Sequence, residues 1–168
     1  IVVNEKADLN ETIQQSLLDF ASQGGTLLIL NDENADNAYI YDEIGIRPMH
    51  FDENENRIEY IAKRNSFFDD IFVKLPENAD LPKINKHICF DLGKNVLNVI
   101  SLQNGNPLLM VSDKGKGKIF VMSTSLDEEY SDLANHALFV PLMYKMALIG
   151  GGISDLSYTL GVDNIFDI

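Results

Sequence analysis

Apolar residues fall along this chain in two rhythms. Over residues 13–21 the rhythm is helical: Ile13, Leu17, Phe20 and Ala21 recur at spacings of four, three and one and so share one face. Asp8-Leu9-Asn10-Glu11 ahead of them has the form of a capping box, an acidic N-cap with Glu three residues on. Gly24-Gly25 predicts the helix end, because glycine takes the left-handed conformation of a C-cap at little cost. Residues 1–3 before this helix and TLLIL, residues 26–30, after it are apolar throughout, the pattern of strands covered on both faces. Strand, helix and strand with tight connections predict a βαβ unit.

The middle of the chain is less regular. Residues 39–44 predict a short helix ended by Gly45, and residues 57–62 a strand. Ser66 opens a helical turn that Pro76 and Pro82 close, and residues 87–92 and 96–102 predict two strands joined at Gly93-Lys94-Asn95. The last third returns to strong patterning. Apolar runs at 107–111 and 118–122 flank the polar, glycine-containing stretch 112–117 and predict a hairpin. Leu138, Leu142 and Met146, with Phe139, Met143 and Ala147, form the wide apolar face of a helix. Pro141 must lie in its first turn, where a missing N–H costs nothing, and Gly150-Gly151-Gly152 stops it.

Length and charge narrow the picture. A chain of 168 residues can bury one sizeable core. It opens on Ile1 inside an apolar strand, so it reads as a piece of a longer protein. No run approaches the roughly 20 apolar residues of a membrane span, and no signal-peptide pattern is present. A formal charge of -13 repels phosphate backbones and excludes nucleic acid as an expected partner. One cysteine, Cys89, rules out an internal disulfide and any multi-cysteine zinc site.

Four stretches invite a chemical reading. GKGK at 115–118 looks like a phosphate loop, but a strand and not a helix follows it, so a hairpin turn is the better account. Cys89 has His87 two residues away and His136 further on as possible bases. It lacks a glycine-flanked elbow, however, and reads as a buried structural thiol. Asp32, Asn34 and Asp36 with Glu43 match calcium-loop positions one, three, five and twelve, but Asn37 replaces the glycine at six and a strand precedes, so a solvated acidic loop is expected. The fourth is the hydroxyl-and-acid cluster of residues 123–129. In open α/β sheets ligands bind beyond the carboxyl ends of the strands. That places Asn4, Glu5, Asn31, Asp32, Ser123, Ser125, Asp127 and Glu128 along one acidic rim if their strands are neighbours. Against this stands the simpler account that loops at strand ends are polar because they meet water.

Two segments, LNETIQQSLLDFASQGGTLLIL and NGNPLLMVSDKGKGKIFVMSTSLDEEYSDLANHALFVPLMYKMAL, resemble the glutamine-amidotransferase-like domain of Bacteroides aerotolerance-type membrane proteins. Those proteins often carry a von Willebrand factor A-like domain. The resemblance implies a flavodoxin-like, class I glutamine-amidotransferase-like three-layer sandwich with a mostly parallel sheet and an antiparallel hairpin. It also implies a periplasmic or extracytoplasmic location, with the membrane reached through segments outside this piece and with other protein domains, including the von Willebrand factor A-like one, as partners. It carries over no catalytic residue, since the glycine-flanked cysteine elbow of the amidotransferases is missing.

The sequence therefore leads to one α/β domain over residues 1–152, with residues 153–168 starting a further β element or a tail. The expected function is a non-catalytic interaction or scaffolding domain of a larger envelope protein, without metal or cofactor. The alternatives are a ligand- or divalent-cation-binding module using the acidic rim, and a hydrolase using Ser123 or Ser125 with His136 and Asp127.

Overall fold

The computed structural model describes residues 1–61 and 80–150. The expected turn from Ser66 and the expected element at 153–168 lie outside the described residues. In chain order the elements are β1 (Val2–Val3), α1 (Glu11–Ser22), β2 (Thr26–Leu30), α2 (Ala38–Ile44), β3 (Ile46–Asp52), β4 (Asn56–Ile61), β5 (Lys83–Ile84), β6 (His87–Leu92), β7 (Val96–Leu102), β8 (Pro107–Lys114) and β9 (Gly117–Met122). A short 3-10 turn (Leu133–Asn135) and α3 (Phe139–Gly150) follow.

Seven strands form one sheet in the order β1-β2-β9-β8-β7-β4-β5, and β3 and β6 pair as a separate antiparallel ribbon. The β1-α1-β2 unit is parallel as its pattern predicts, and β2 runs parallel to β9. From β9 onward every pairing is antiparallel. The expected flavodoxin-like, class I glutamine-amidotransferase-like three-layer sandwich on a mostly parallel sheet is therefore corrected to a mixed sheet curled into a half-barrel, with three α-helices among the described residues. The physical reason lies in the long antiparallel arm. The β4/β7 and β7/β8 pairings carry register shifts, and such bulges bend and twist a ladder.

Side chains alternate along the central strands. Leu28, Leu30, Phe120 and Met122 join Leu133, Leu138, Leu142 and Met146 in a core beneath α3. On the opposite face Leu27, Ile29, Ile119 and Val121 pack against Leu18 and Ala21 of α1, Ile40 and Ile44 of α2, and Ile88 and Phe90 of the ribbon. Strands buried on both faces explain why TLLIL and KIFVM carry no polar alternation.

The buried face of α1 is not the one its apolar spacing predicts. Gln14, Leu18 and Ala21 point inward, whereas Ile13 and Phe20 are 41% and 39% exposed. Gln14 is tolerated there because its amide is fully used: it donates to the carbonyls of Leu9 and Asp36 and accepts from the Ile40 N–H. The cap is also displaced. Asn10, not Asp8, accepts the Ile13 N–H at 3.0 Å, so the roughly 0.5–2 kcal/mol that an N-cap contributes belongs to Asn10.

GKGK is the hairpin turn between β8 and β9, with Lys114 opposite Gly117. Gly115, at φ +60°, takes the first turn position. The turn lies on the C-terminal end of α1, where the Lys116 and Lys118 N–H groups donate to the carbonyls of Ser22 and Gly25. Two glycine-rich stretches about 90 residues apart in sequence thus complete one another: the turn satisfies carbonyls that a helix end leaves orphaned.

Candidate functional site

Because β1, β2 and β9 are neighbours and parallel, their exits share one rim. It is largely self-satisfied. Asn31 is fully buried; its amide donates to the Met122 carbonyl at 2.8 Å, and its Oδ1 accepts from Asn37 and from the Tyr41 hydroxyl. Burial, ahead of the opposing hydrogen bond from Asn37, pushes the Tyr41 hydroxyl up to about 12, so it stays a donor at neutral pH. Ser125, also fully buried, accepts the Asp127 N–H, and Thr124 donates to the Lys86 carbonyl. Asp127 accepts the Glu129 N–H and lies 3.9 Å from Lys6, Glu128 accepts from Asn135, and Glu129 pairs with Lys86. Asn4 accepts the Lys6 N–H, and Asp32 the Asn34 N–H. Glu5 is half-buried, with one carboxylate oxygen buried and unpartnered. This is the hydrogen bonding of a connection that closes on its own backbone.

The hydrolase alternative lacks its geometry. Ser123 is fully buried with an unpartnered hydroxyl, and His136 has neither ring nitrogen spare: Nδ1 accepts the Leu138 N–H while Nε2 contacts the Asp80 carbonyl at 2.6 Å. His136 thereby caps the approach to α3 rather than serving a serine. The calcium-loop positions do not converge either, since Glu43 pairs with Lys114 and Asn37 turns into the buried Asn31–Tyr41 network.

A second cluster, on the ribbon, was only half legible in the sequence. Asp52 ends β3 directly opposite His87, and His87 and Cys89 alternate onto one face of β6. The β7–β8 turn then brings in Asn104 and Asn106. His87 Nε2 lies 3.8 Å from Cys89 Sγ and 3.9 Å from Asp52 Oδ2. Both asparagine amides reach Nε2, at 3.2 and 3.3 Å; Asn106 also donates to Cys89 Sγ at 3.0 Å, and Asn104 to Asp52 at 3.3 Å. Burial lowers the His87 pKa despite the Asp52 charge, so the ring is held neutral. Burial first, and then the Asp52 charge, raise that of the Cys89 thiol. The Asp52 carboxyl is held below its usual range, chiefly by the Asn54 backbone N–H. Cys89 is 3% exposed, as the sequence leads one to expect. His-x-Cys in a strand was the readable signal; the partner Asp52 depends on ribbon register.

The third feature is an apolar seam along β1, one of the two edge strands of the seven-stranded sheet. A cleft of about 340 Å³ there is lined by Ile1, Val2, Phe20, Leu28, Met143 and Met146. Among the described residues, six of the eight exposed large hydrophobic residues, Ile1, Val2, Ile13, Phe20, Val140 and Tyr144, lie on or beside β1 or on α1 and α3, and Ile1, Val2 and Phe20 of these line the cleft.

No family model matches the chain, and no curated protein does. Solved structures share its fold. A cytoplasmic protein from Salmonella typhimurium aligns at 12% identity and a TM-score of 0.66, over 86% of this chain and 68% of its own. A second cytoplasmic protein from Salmonella typhimurium LT2 aligns at 14% and 0.61, over 92% and 71%. A β-galactosidase from Bacillus circulans sp. alkalophilus aligns at 13% and 0.61, over 89% of this chain but only 22% of that enzyme. At such identities the likeness is one of fold. The periplasmic expectation is withdrawn, because the first two of these structures are of cytoplasmic proteins and none is of an aerotolerance-type domain. Among the described residues no helix is long and apolar enough to cross a membrane.

Proposed function

We propose that this chain is a non-catalytic interaction module that offers the β1 edge and its apolar flanks to another protein domain. The seam carries the reading. β1 has only β2 as a hydrogen-bonded neighbour among the described residues, and an unpaired strand edge is a template for an added strand. Apolar residues from α1 and α3 flank that edge, so an extended segment laid along it would find backbone partners and side-chain pockets together. The seam is also the charge-poor part of a strongly acidic chain: neither β1, nor β2, nor α3 contains a carboxylate, although the chain has 26. Depletion of charge at the centre of a patch is the compositional mark of an interface core. The self-satisfied rim supports the absence of catalysis.

Phe20, 39% exposed and lining the cleft, is the natural reporter. Hydroxyl-radical labelling in intact cells, compared with the purified chain at the same dose, is expected to drop at least about fivefold at Phe20, as burial at an interface requires. Tyr39, half-buried away from the seam in α2, should label alike in both. Equal labelling of Phe20 in the two settings would contradict the proposal.

A further inference from the structure

We propose that Asp52, His87 and Cys89 form a three-ligand site for a zinc-class divalent transition ion, with its fourth position open to water. One carboxylate oxygen, one imidazole nitrogen and one sulfur converge, all within 4.8 Å of one another. All three atoms can present lone pairs to the same point. The side-chain amides of Asn104 and Asn106 donate to the same three atoms, and their contacts with His87 Nε2 give way when an ion takes that lone pair.

The spacing fits a small tetrahedral ion. Bonds of about 2.0 Å to oxygen and nitrogen and about 2.3 Å to sulfur place tetrahedral ligand atoms about 3.3–3.6 Å apart. The observed 3.8 Å from sulfur to nitrogen and 3.9 Å from nitrogen to oxygen need a few tenths of an ångström of closure, and the sulfur-to-oxygen separation, within 4.8 Å, needs at most about 1.3 Å.

The histidine can present the right nitrogen to the cluster. The His87 ring is fully buried, and its Nδ1 has no hydrogen-bond partner. With the proton on Nδ1, the Nε2 lone pair faces Sγ and Oδ2, which is the tautomer a metal requires.

The donor set selects the ion. A nitrogen and a sulfur beside one carboxylate disfavour calcium and magnesium, which take oxygen ligands, and suit zinc and cobalt. Three protein ligands rather than four leave a position open, as in sites that keep a bound water. Asn106, donating to sulfur, and Asn104, donating to the Asp52 carboxylate, are placed to orient the ligands from outside. The ribbon would gain a clamp across its β3–β6 register, at the point where it meets the β7–β8 turn.

Cobalt reads the site directly. The 168-residue chain, stripped with a chelator and kept reduced without added thiol, is titrated with Co²⁺ alone. One equivalent is expected to produce a near-ultraviolet sulfur-to-cobalt charge-transfer band together with visible d–d bands, both displaced by Zn²⁺ and neither by excess Ca²⁺ or Mg²⁺. Cys89→Ser should abolish the charge-transfer band. Asp52→Asn, at the more exposed ligand, should keep that band and weaken binding by more than about tenfold, at least as much as loss of an outer-shell partner does. Asp91→Asn, elsewhere on the ribbon, should change neither. Absence of the charge-transfer band in the unsubstituted chain would overturn the site by itself, whatever the variants do. Displacement of cobalt by calcium at comparable concentration would overturn it too, since that is the behaviour of a merely acidic surface.

Discussion

Gly117→Ala should destabilise the protein by about 4 kcal/mol or more, among the largest effects a single methyl group can have. A Cβ at this position would lie 2.0 Å from the Gly25 carbonyl oxygen and 2.3 Å from that of Ala21. Both are backbone atoms, Ala21 in the last turn of α1 and Gly25 in the connection to β2, so no side chain can swing away. Relief requires the β8–β9 hairpin to lift off the helix, which breaks the bonds from Lys116 to Ser22 and from Lys118 to Gly25 and exposes helix carbonyls. Gly105→Ala is the control for loss of a glycine as such. It sits in a turn with positive φ, unlike Gly117, and nothing lies within 4 Å of the point its Cβ would occupy, so its cost is conformational strain alone. Urea denaturation should place Gly117→Ala well below Gly105→Ala; equal midpoints would mean that the turn does not rest on α1.

Leu142→Ala should cost about 2–5 kcal/mol, the range for a leucine removed from a packed core. Leu142 is 1% exposed and lies in the cluster with Phe120, Met122, Leu138 and Met146, through which α3 covers one face of β2 and β9. A cavity there cannot collapse easily, because the strands beneath are pinned by ladders on both sides. Val140→Ala, two residues away on the same helix but 72% exposed, should change stability by less than about 0.5 kcal/mol. If the two midpoints coincide, α3 is not a core element.

What could be read from the sequence was local. TLLIL, the 107–122 hairpin, the short helix ending at Gly45 and the proline-started α3 each declare themselves within a dozen or so residues, by periodicity or by turn chemistry. What could not be read depends on distant partners. Gln14 is buried and Phe20 exposed because the amide of Gln14 finds the carbonyl of Asp36 and the N–H of Ile40, groups more than twenty residues away. Residues 87–92 and 96–102 are strands as their patterns imply, yet they do not pair with one another: β6 joins β3 in the ribbon, and β7 enters the main sheet between β4 and β8. That choice makes the sheet mostly antiparallel and overturns the expected sandwich. The same choice sets Asp52 against His87, a pairing no spacing rule connects. The rim was legible as a polar connection whose Ser and Asp side chains bond local backbone, whereas the burial of Asn31 against the Met122 carbonyl and the Tyr41 hydroxyl was not.

The central claim is that the β1 edge is a working surface, and one backbone amide reports on it. The Ile1 carbonyl accepts the Leu28 N–H, so alternation along the strand turns the N–H and C=O of Val2 outward, away from β2. Residue-resolved hydrogen exchange should find the Val2 amide fast in the purified chain. In the complex isolated from its own cells it should be slowed at least about 100-fold, as an amide bonded to an added strand would be. Exchange at the same rate in both preparations would contradict the account.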